Sequence, residues 1–239
     1  MYNSQTAEVL FEDEHLLVIY KPAGLATQAA KVTMPDVVSQ LKNHIGSDYL
    51  AVIHRLDQPV EGLLVFAKTK KAAADLTNQL SGAGLKKSYE AMVLSQKDIN
   101  SLSQTTLIHE MYKDAKLSKA VIVDEKKAKN TREKLQKAIL TYQPVSQKEY
   151  RNAAGSLSYL IHMKIEIETG RFHQIRAQMA YAGLPLLGDR KYAGDEAMQL
   201  SNELGVRTVA LCASDLSFIH PVSKEKMNFH IDPRNGIFN

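Results

Sequence analysis

The chain contains few of the residues that mark secreted or fibrous proteins. Its 239 residues include one cysteine, 7 prolines, 12 glycines and no tryptophan. Because the lone Cys212 cannot form an intramolecular disulfide and no Cys/His cluster has zinc-like spacing, the sequence argues against a disulfide scaffold and a structural metal site. The proline and glycine counts are too low for a collagen-like or low-complexity chain. We therefore expect a protein of a reducing compartment, without a bound metal.

Targeting and membrane-spanning segments are also missing. Four carboxylates and no lysine or arginine precede Lys21, which is the opposite of the basic start of a signal peptide. No apolar run approaches the ~18 to 20 residues that cross a bilayer. The sequence predicts a mature start, a cytoplasmic location and no membrane partner.

The composition is that of a globular protein. Hydrophobic residues make up 44% of the chain and charged residues 23%, which is too apolar for a disordered protein. Folding a chain of this length can bury about 70% of the surface that the unfolded chain exposes. Since no internal repeat or Ser/Gly linker divides it, we predict a single domain over residues 1–239.

Strand patterns outnumber helix patterns. In YLIHMKIEIE, alternate residues from Tyr159 to Ile167 are apolar, which predicts a long strand with one buried face. Shorter runs of the same kind are 7–12, 15–21, 50–57, 62–69, 87–94, 120–124, 137–145, 207–213 and 226–231. Helical spacing occurs in 36–46, 71–80 and 172–183, which end at or near Gly46, Gly82 and Gly183. These helices do not alternate strictly with the strands, so we predict an α+β fold with a mixed, mostly antiparallel sheet and packed helices.

Positive charge is concentrated in one stretch. The chain has a net charge of +4, whereas residues 113–137 contain nine basic and four acidic side chains, a net of +5. Such a stretch is typical of a solvated loop. It also suits a surface that faces phosphates, because basic side chains that neutralise phosphates release counterions and bind nucleic acid of any sequence. The candidates for these contacts are Lys126, Lys127, Lys129 and Arg132.

Two segments place polar groups where the strand pattern calls for apolar ones. In 51–57, strand alternation puts Arg55 and Asp57 on the same side of the chain. A salt bridge at a strand end would have the same pattern. In 87–90, Tyr89 stands at the head of a strand, where a tyrosine is usually half-buried with its hydroxyl at the rim.

A third segment, 169–176, predicts a tight turn that leaves the long strand and enters a helix. His173 and Arg176 are three residues apart and so share a helix face, with Ile175 on the apolar face. A helix N-terminus lined by Arg171 and Arg176 favours an anion. An ordinary amphipathic helix with solvated arginines is the alternative.

Together these segments resemble one family, the RluA-type pseudouridine synthases. HRLDQPVEGLLVFAKT is similar to the family's HRLD-x-x-(Thr/Ser)-x-GLL signature, and KSYEAMV to its Lys-x-Tyr segment. TGRFHQIRAQMAYAGLPLLGDRKY is similar to the segment that runs from TGR-x-HQIR to GD-x-x-Tyr. EDEHLLVIYKPAGL and LCASDLSFIHP resemble the family's opening and closing strands. These matches occur in the family's order and cover most of the chain.

The resemblance implies a pseudouridine synthase-like fold with a central RNA-binding cleft, and no N-terminal RNA-binding domain. It implies that Asp57 acts on the ribose or uracil of a uridine, that Arg176 pairs with Asp57, and that Tyr89 packs on the flipped base. Arg55 would stack in the place of the flipped-out uridine and so support the remaining RNA bases. Positions expected to contact RNA or substrate are His54, Arg55, Arg171, His173, Ile175, Lys126, Lys127, Lys129 and Arg132.

The implied activity is the isomerisation of uridine to pseudouridine in tRNA or rRNA, with no cofactor, no metal and no obligate protein partner. Three routes stay open for Asp57: attack on the sugar, attack on the ring, or removal of a sugar proton. Two rival functions are a non-catalytic RNA-binding module on the same fold and a glycoside hydrolase that uses Asp57 and Glu61. The hydrolase needs two carboxylates about 5 to 9.5 Å apart across a sugar.

Two residues depart from the family pattern. Val60 and Glu61 stand where the family has a hydroxyl residue and a small one before the glycine. Val60 removes a loop hydrogen bond. Glu61 adds a negative charge four residues from Asp57. We expect this charge to make ionisation of the Asp57 carboxyl less favourable or to repel a phosphate of the RNA.

Overall fold

The structure, a computed structural model, describes residues 6–29, 34–82, 84–123, 133–151 and 155–238. The chain divides into two compact units. The first consists of Met1–Ser88 and Cys212–Arg234, and the second of Tyr89–Leu211 and Asn235–Asn239. The prediction of one domain over 1–239 concerns the family's domain as a whole and stays a prediction.

In its described residues, the first unit is a sheet with two helices. Its strands are β1 (Glu8–Glu12), β2 (Leu16–Lys21), β3 (Ala51–Val52), β4 (Glu61–Ala67), β10 (Leu211–Ile219, from Cys212 onward) and β11 (Lys226–His230). The pairs β1–β2, β2–β4, β3–β4 and β10–β11 are antiparallel, and β4 pairs in parallel with β10. The helices are α1 (Val37–Ile45) and α2 (Lys70–Ser81).

Local sequence explains where these two helices begin and end. The Asp36 side chain accepts the Ser39 N–H at 2.6 Å, and Thr69 accepts the Ala72 N–H at 3.2 Å, so each helix has a polar N-cap. Gly46 closes α1 in the left-handed region at φ 62°. Every residue of β2 and β4 is buried, and Leu16, Val18, Leu63 and Val65 form the core with apolar residues of α2 and β10.

The second unit is built on longer strands. They are β5 (Lys86–Ser95, from Tyr89 onward), β6 (Thr105–Asp114), β7 (Lys119–Val123), β8 (Gln136–Arg151) and β9 (Leu157–Ile167). Their order is β5–β9–β8–β6–β7, and the pairs β8–β9, β6–β8 and β6–β7 are antiparallel. Helices α3 (Gln174–Tyr181) and α4 (Asp195–Glu203) pack on the strands through Ala177, Ala197 and Leu200.

The mixed, mostly antiparallel sheet with packed helices is confirmed. One predicted strand, over 50–57, is wrong at the positions around Asp57. The run 50–57 forms a strand only at Ala51–Val52. Beyond it, Leu56 makes its backbone hydrogen bonds to the side chain of Thr27 and not to a neighbouring strand. Asp57 therefore lies in a loop, and strand alternation does not decide on which side Arg55 and Asp57 point.

Candidate active site

The loop that carries Asp57 joins β3 to β4 and is tied to the segment that follows β2. Leu56 donates its N–H to Thr27 Oγ1 at 3.3 Å, and its carbonyl accepts the Thr27 hydroxyl at 2.9 Å. The Gln58 carbonyl accepts the Gly24 N–H at 2.7 Å, while the Gln58 side chain donates to the Gly24 carbonyl at 2.9 Å. Both chain neighbours of Asp57 are therefore fixed by hydrogen bonds.

Lys21 ties the same two segments together from inside the unit. It ends β2 and is fully buried. Its Nζ donates to the carbonyls of Pro22 at 3.0 Å, Leu25 at 2.7 Å and Gln58 at 3.2 Å. Burial lowers the pKa of Lys21 to about 7, and the negative charges of Asp57 and Glu61 oppose that shift.

Glu61 is the first residue of β4, and its carboxylate is buried. It accepts the Tyr20 hydroxyl at 2.6 Å and the Arg234 N–H at 3.2 Å. The Arg234 guanidinium lies 3.9 Å from the centre of the Tyr20 ring and pairs with Glu8 at 2.7 Å. Burial, and then the bond to Glu61, raise the pKa of Tyr20. Because Glu61 is only 3% exposed, it does not lie where it would repel a phosphate at the surface.

His54 and Arg55 precede Asp57 and differ in environment. His54 is buried, and within the described residues neither ring nitrogen has a hydrogen-bond partner. Burial, with a smaller effect of the Lys87 charge, lowers the pKa of His54 well below its usual range, so the imidazole is neutral. Burial also lowers the pKa of Lys87, to about 8. Arg55 is exposed, as a side chain that contacts RNA would be.

In the second unit, Arg176 is held by a residue that the sequence analysis did not single out. Its Nε and Nη2 donate to the two carboxylate oxygens of Asp189, each at 2.7 Å, and both side chains are buried. This is the bidentate fork that suits guanidinium and carboxylate. Arg176 is thus not a solvated residue of an amphipathic helix, because residues 174–179 are all buried.

The turn before α3 is held together by the side chain of Gln174, the second residue of the HQIR segment. Gln174 Oε1 accepts the Thr169 hydroxyl at 2.8 Å and the Arg171 N–H at 3.0 Å, while its Nε2 donates to the Ile139 carbonyl at 3.0 Å. His173 is the N-cap in the left-handed region at φ 52°, so it precedes α3 and is not one of its residues. His173 and Arg176 both contact the Tyr192 ring, so the two side chains lie on the same side as expected.

The remaining predicted positions have distinct surroundings. His173 stacks on Phe172 with ring centres 3.7 Å apart, and its Nδ1 lies 2.8 Å from the Tyr192 hydroxyl. Arg171 is exposed and donates to the Lys137 carbonyl at 3.0 Å. Ile175 is buried, and Tyr89 is more buried than the half-buried side chain expected there, at 5% exposure. Lys126, Lys127, Lys129 and Arg132 lie outside the described residues.

The predicted residues fall into two groups. His54, Arg55 and Asp57 belong to the first unit, and Tyr89, Arg171, His173, Ile175 and Arg176 to the second. The pairing of Arg176 with Asp57 stays a prediction. Over the described ranges, no three His, Cys, Asp or Glu side chains converge as metal ligands would, and no helix is long and apolar enough to span a bilayer.

The sequence analysis missed three residues that hold predicted site residues or their chain neighbours within each unit: Lys21, Thr27 and Asp189. Lys21 and Asp189 lie in the segments YKPAGL and GDRKY, which resemble the family. Local sequence does not predict the contacts of Thr27 and Asp189, because their partners are 29 and 13 positions away.

Comparison with known proteins assigns the family. The family model described as RNA pseudouridylate synthase matches residues 15–181, which is more than half of the chain. The chain belongs to this family. A ribosomal large subunit pseudouridine synthase D from Zymomonas mobilis is 31% identical over 233 residues, covering 93% of this chain and 68% of the relative. The chain is therefore an RNA pseudouridine synthase, an isomerase.

Other relatives of this synthase differ in the RNA that their names specify. A tRNA pseudouridine synthase C from Vibrio cholerae is 28% identical and covers 92% of this chain and 88% of its own. A dual-specificity RNA pseudouridine synthase RluA from Vibrio vulnificus is 31% identical, over 90% and 79%. The fold matches the solved human RNA pseudouridylate synthase domain containing 1, with a TM-score of 0.74, 17% identity and coverage of 96% and 84%.

Proposed function

We propose that this synthase converts uridine to pseudouridine in tRNA or rRNA, with Asp57 as its catalytic carboxylate. The observation that carries the proposal is the anchoring of Leu56 and Gln58, which fixes the backbone on both sides of Asp57. A carboxylate that must meet a reacting atom needs this kind of preorganised support. The RNA classes named for the bacterial relatives support the choice of substrate.

The reaction needs little beyond this carboxylate. The bond between uracil N1 and ribose C1′ breaks, the base turns, and a bond forms between C5 and C1′. The hydrogen on C5 is removed as a proton and N1 ends protonated, so atoms balance within the isomerisation. Asp57 starts this sequence by attacking the sugar, attacking the ring, or taking a sugar proton.

Three other residues have roles carried over from the family resemblance. We assign Tyr89 to packing on the target base and Arg176 to the positive charge that pairs with Asp57. The fork with Asp189 uses Nε and Nη2 of Arg176 and sets the orientation of the guanidinium. We assign Arg55 to the stack from which the base has left, and its exposure supports that role.

A non-catalytic RNA-binding module is the rival that the departures at Val60 and Glu61 favoured. The described contacts weaken it. Val60 is 2% exposed and packs as an apolar residue, and Glu61 is held by Tyr20 and Arg234. Both departures are therefore accommodated where the loop enters β4, and the chain neighbours of Asp57 remain anchored. We further propose that residues 1–239 act as one catalytic domain and that the enzyme works in the cytoplasm.

Chemical mapping of pseudouridine tests this function. Total RNA from cells with the gene, without it, and complemented with the Asp57→Asn variant is mapped at nucleotide resolution. We expect at least one pseudouridine in tRNA or rRNA that only the wild-type gene restores. Mass analysis of the product should find the nucleoside mass unchanged. Release of free uracil would indicate hydrolysis, and identical maps would contradict the proposal.

A further inference from the structure

The residue before Asp57 makes both of its backbone hydrogen bonds to one side chain. Leu56 donates its N–H to Thr27 Oγ1 at 3.3 Å, and its carbonyl accepts the Thr27 hydroxyl at 2.9 Å. Within the part of the chain that the structure describes, Leu56 makes no other hydrogen bond. Leu56 is 7% and Thr27 3% exposed, so solvent does not supply these bonds instead. The position of the Leu56 backbone therefore depends on the Thr27 hydroxyl.

A threonine hydroxyl can make both bonds because it has one O–H donor and two acceptor lone pairs. Two opposite residues of an antiparallel sheet exchange an N–H···O bond in each direction in the same way. The Thr27 side chain thus replaces a strand neighbour for a single residue, beyond the end of β3. A buried N–H and C=O without such a partner would be costly, which ties Leu56 to this position.

Thr27 is itself held by the first turn of α1. The N–H groups of Val37 and Val38 donate to the carbonyls of Ala26 at 3.0 Å and Thr27 at 3.3 Å. The first N–H groups of a helix have no acceptor within the helix, and α1 uses two of them to hold this segment. The backbone of Thr27 is therefore anchored to a regular element of the first unit.

The Asp36 carboxylate adds a second connection between α1 and the same segment. One of its oxygens accepts the Ser39 N–H at 2.6 Å, which caps the helix, and the other accepts the Ala29 N–H at 2.7 Å. The segment is thus held at Ala29 as well as at Ala26 and Thr27. Support from a helix places a side chain more precisely than a loop does alone, so the Thr27 hydroxyl has a defined position.

The other contacts of the loop hold the chain after Asp57. The Asp57 carbonyl accepts the Val60 N–H at 3.0 Å, and the Gln58 carbonyl accepts the Gly24 N–H at 2.7 Å. The Thr27 hydroxyl holds the residue before Asp57. Because the backbone on both sides sets the direction of a side chain, loss of this hydroxyl should change the direction of the Asp57 carboxylate.

We propose that Thr27 is a positioning residue whose hydroxyl holds Leu56 and thereby orients the Asp57 carboxylate for the reaction. The proposal rests on the proposed function in taking Asp57 as the catalytic carboxylate. A displacement of about 1 Å at a reacting group can lower a rate by about 100-fold, so the hydroxyl acts on the rate of the reaction. Thr27 is buried and does not contact RNA at the surface, so it leaves RNA binding unchanged.

Amide hydrogen exchange tests the hold on the loop without any RNA. Thr27→Ser keeps the hydroxyl and Thr27→Ala removes it, and because both lack the methyl group, the pair isolates the oxygen. The Val60 N–H reports on the Asp57 carbonyl that accepts it. We expect Thr27→Ala to speed exchange of the Leu56 and Val60 N–H groups by about tenfold, and Thr27→Ser to leave both near the wild type.

Equal exchange in Thr27→Ser and Thr27→Ala, at either of these N–H groups, would contradict the proposal. If Thr27→Ala does not fold, Thr27→Cys takes its place, because a thiol fills the site but is a weak donor and a weak acceptor. The same comparison with Thr27→Ser then decides the outcome.

Thr69→Ala is the matched control, since it removes a threonine hydroxyl in the same unit. Thr69 caps α2 by accepting the Ala72 N–H at 3.2 Å, and loss of an N-cap destabilises a protein. Exchange of the Leu56 and Val60 N–H groups should match the wild type in this variant. If Thr69→Ala speeds it as much as Thr27→Ala does, the effect is a general loss of stability and the proposal is wrong.

Single-turnover kinetics with a substrate RNA test the effect on the reaction. At saturating enzyme, Thr27→Ala should lower the maximal rate by about tenfold or more, while Thr27→Ser recovers most of it and Thr69→Ala matches the wild type. The enzyme concentration at half-saturation should be the same in all four proteins. A maximal rate of Thr27→Ala equal to that of the wild type, or a loss that Thr27→Ser shares, would overturn the proposal.

The same reactions separate this proposal from the proposed function. A wild type that forms no pseudouridine, or an Asp57→Asn variant that forms it at the normal rate, contradicts the proposed function. An active wild type that depends on Asp57, together with a Thr27→Ala variant that is equally fast, contradicts only the role of Thr27.

Discussion

The residues predicted to form the site were easier to locate in the sequence than the residues that hold them in place. Asp57 and Arg176 stood out because charged groups interrupt an apolar pattern. Lys21 and Asp189 act through partners that are close only in the folded chain, and Lys21 bonds to backbone carbonyls, which carry no sequence signal. Local patterns therefore predict which residues are chemically unusual but not which contacts hold them.

The buried fork between Arg176 and Asp189 leads to a stability prediction. Asp189→Asn leaves the Arg176 charge without its carboxylate in a buried setting, so we expect a loss of about 3 to 5 kcal/mol in the free energy of unfolding. Asp75→Asn is the control, because Asp75 pairs with Lys224 at the surface and its loss should cost no more than about 1 kcal/mol. Urea denaturation measures both. Similar losses in the two variants would mean that the fork is not a structural anchor.

Strands with a clear sequence pattern were predicted well, and elements governed by tertiary contacts were not. β2 and β4 contain continuous apolar runs, and β9 has a long alternating pattern. β6 was missed because Ile108 is exposed and weakens its alternation, and α4 was missed although Asp195 and Glu196 favour a helix start. The strand expected over 50–57 ends early because Leu56 bonds to Thr27 and not to a neighbouring strand, and local sequence does not predict that contact.

Gly62 shows how closely two elements meet in the first unit, where β4 runs beside β10. Its φ is +132°, and a Cβ added there would lie 2.6 Å from the Ala213 carbonyl oxygen. We expect Gly62→Ala to reduce the free energy of unfolding by about 3 kcal/mol or more. Gly46→Ala, at φ +62° with nothing within 4 Å, should cost only about 1 kcal/mol. Equal costs in urea denaturation would refute the close approach as the cause.

At the scale of the whole molecule, the sequence predicted the family-typical fold class through the order of its motifs. It could not predict that the chain divides into two compact units, because each unit combines segments that are far apart in the sequence. The concentration of positive charge in 113–137 was visible from composition alone. The proposed partner of this charge is the RNA backbone. Because contacts with phosphates weaken as salt rises, the salt dependence of RNA binding measures them directly.

Neutralising the basic stretch should flatten that salt dependence. Changing Lys126, Lys127, Lys129 and Arg132 to glutamine should reduce the slope of log affinity against log salt by about 0.7 to 0.9 for each lost phosphate contact. The control makes the same change of net charge at four exposed lysines of the first unit: Lys70, Lys71, Lys224 and Lys226. Filter binding over a series of salt concentrations measures both slopes. If the two variants lose the same slope, the stretch has no special role in RNA binding.

The central claim is that Asp57 carries the isomerisation, and one single-turnover experiment tests it most directly. Purified wild type, Asp57→Asn and the exposed control Asp48→Asn are mixed in excess with an RNA that the wild type modifies. Because the amide keeps the shape of the side chain and loses its charge and nucleophile, Asp57→Asn should form no detectable pseudouridine while it still binds the RNA. Asp48→Asn should match the wild type. Pseudouridine formation by Asp57→Asn at a rate near that of the wild type would contradict the assignment of Asp57.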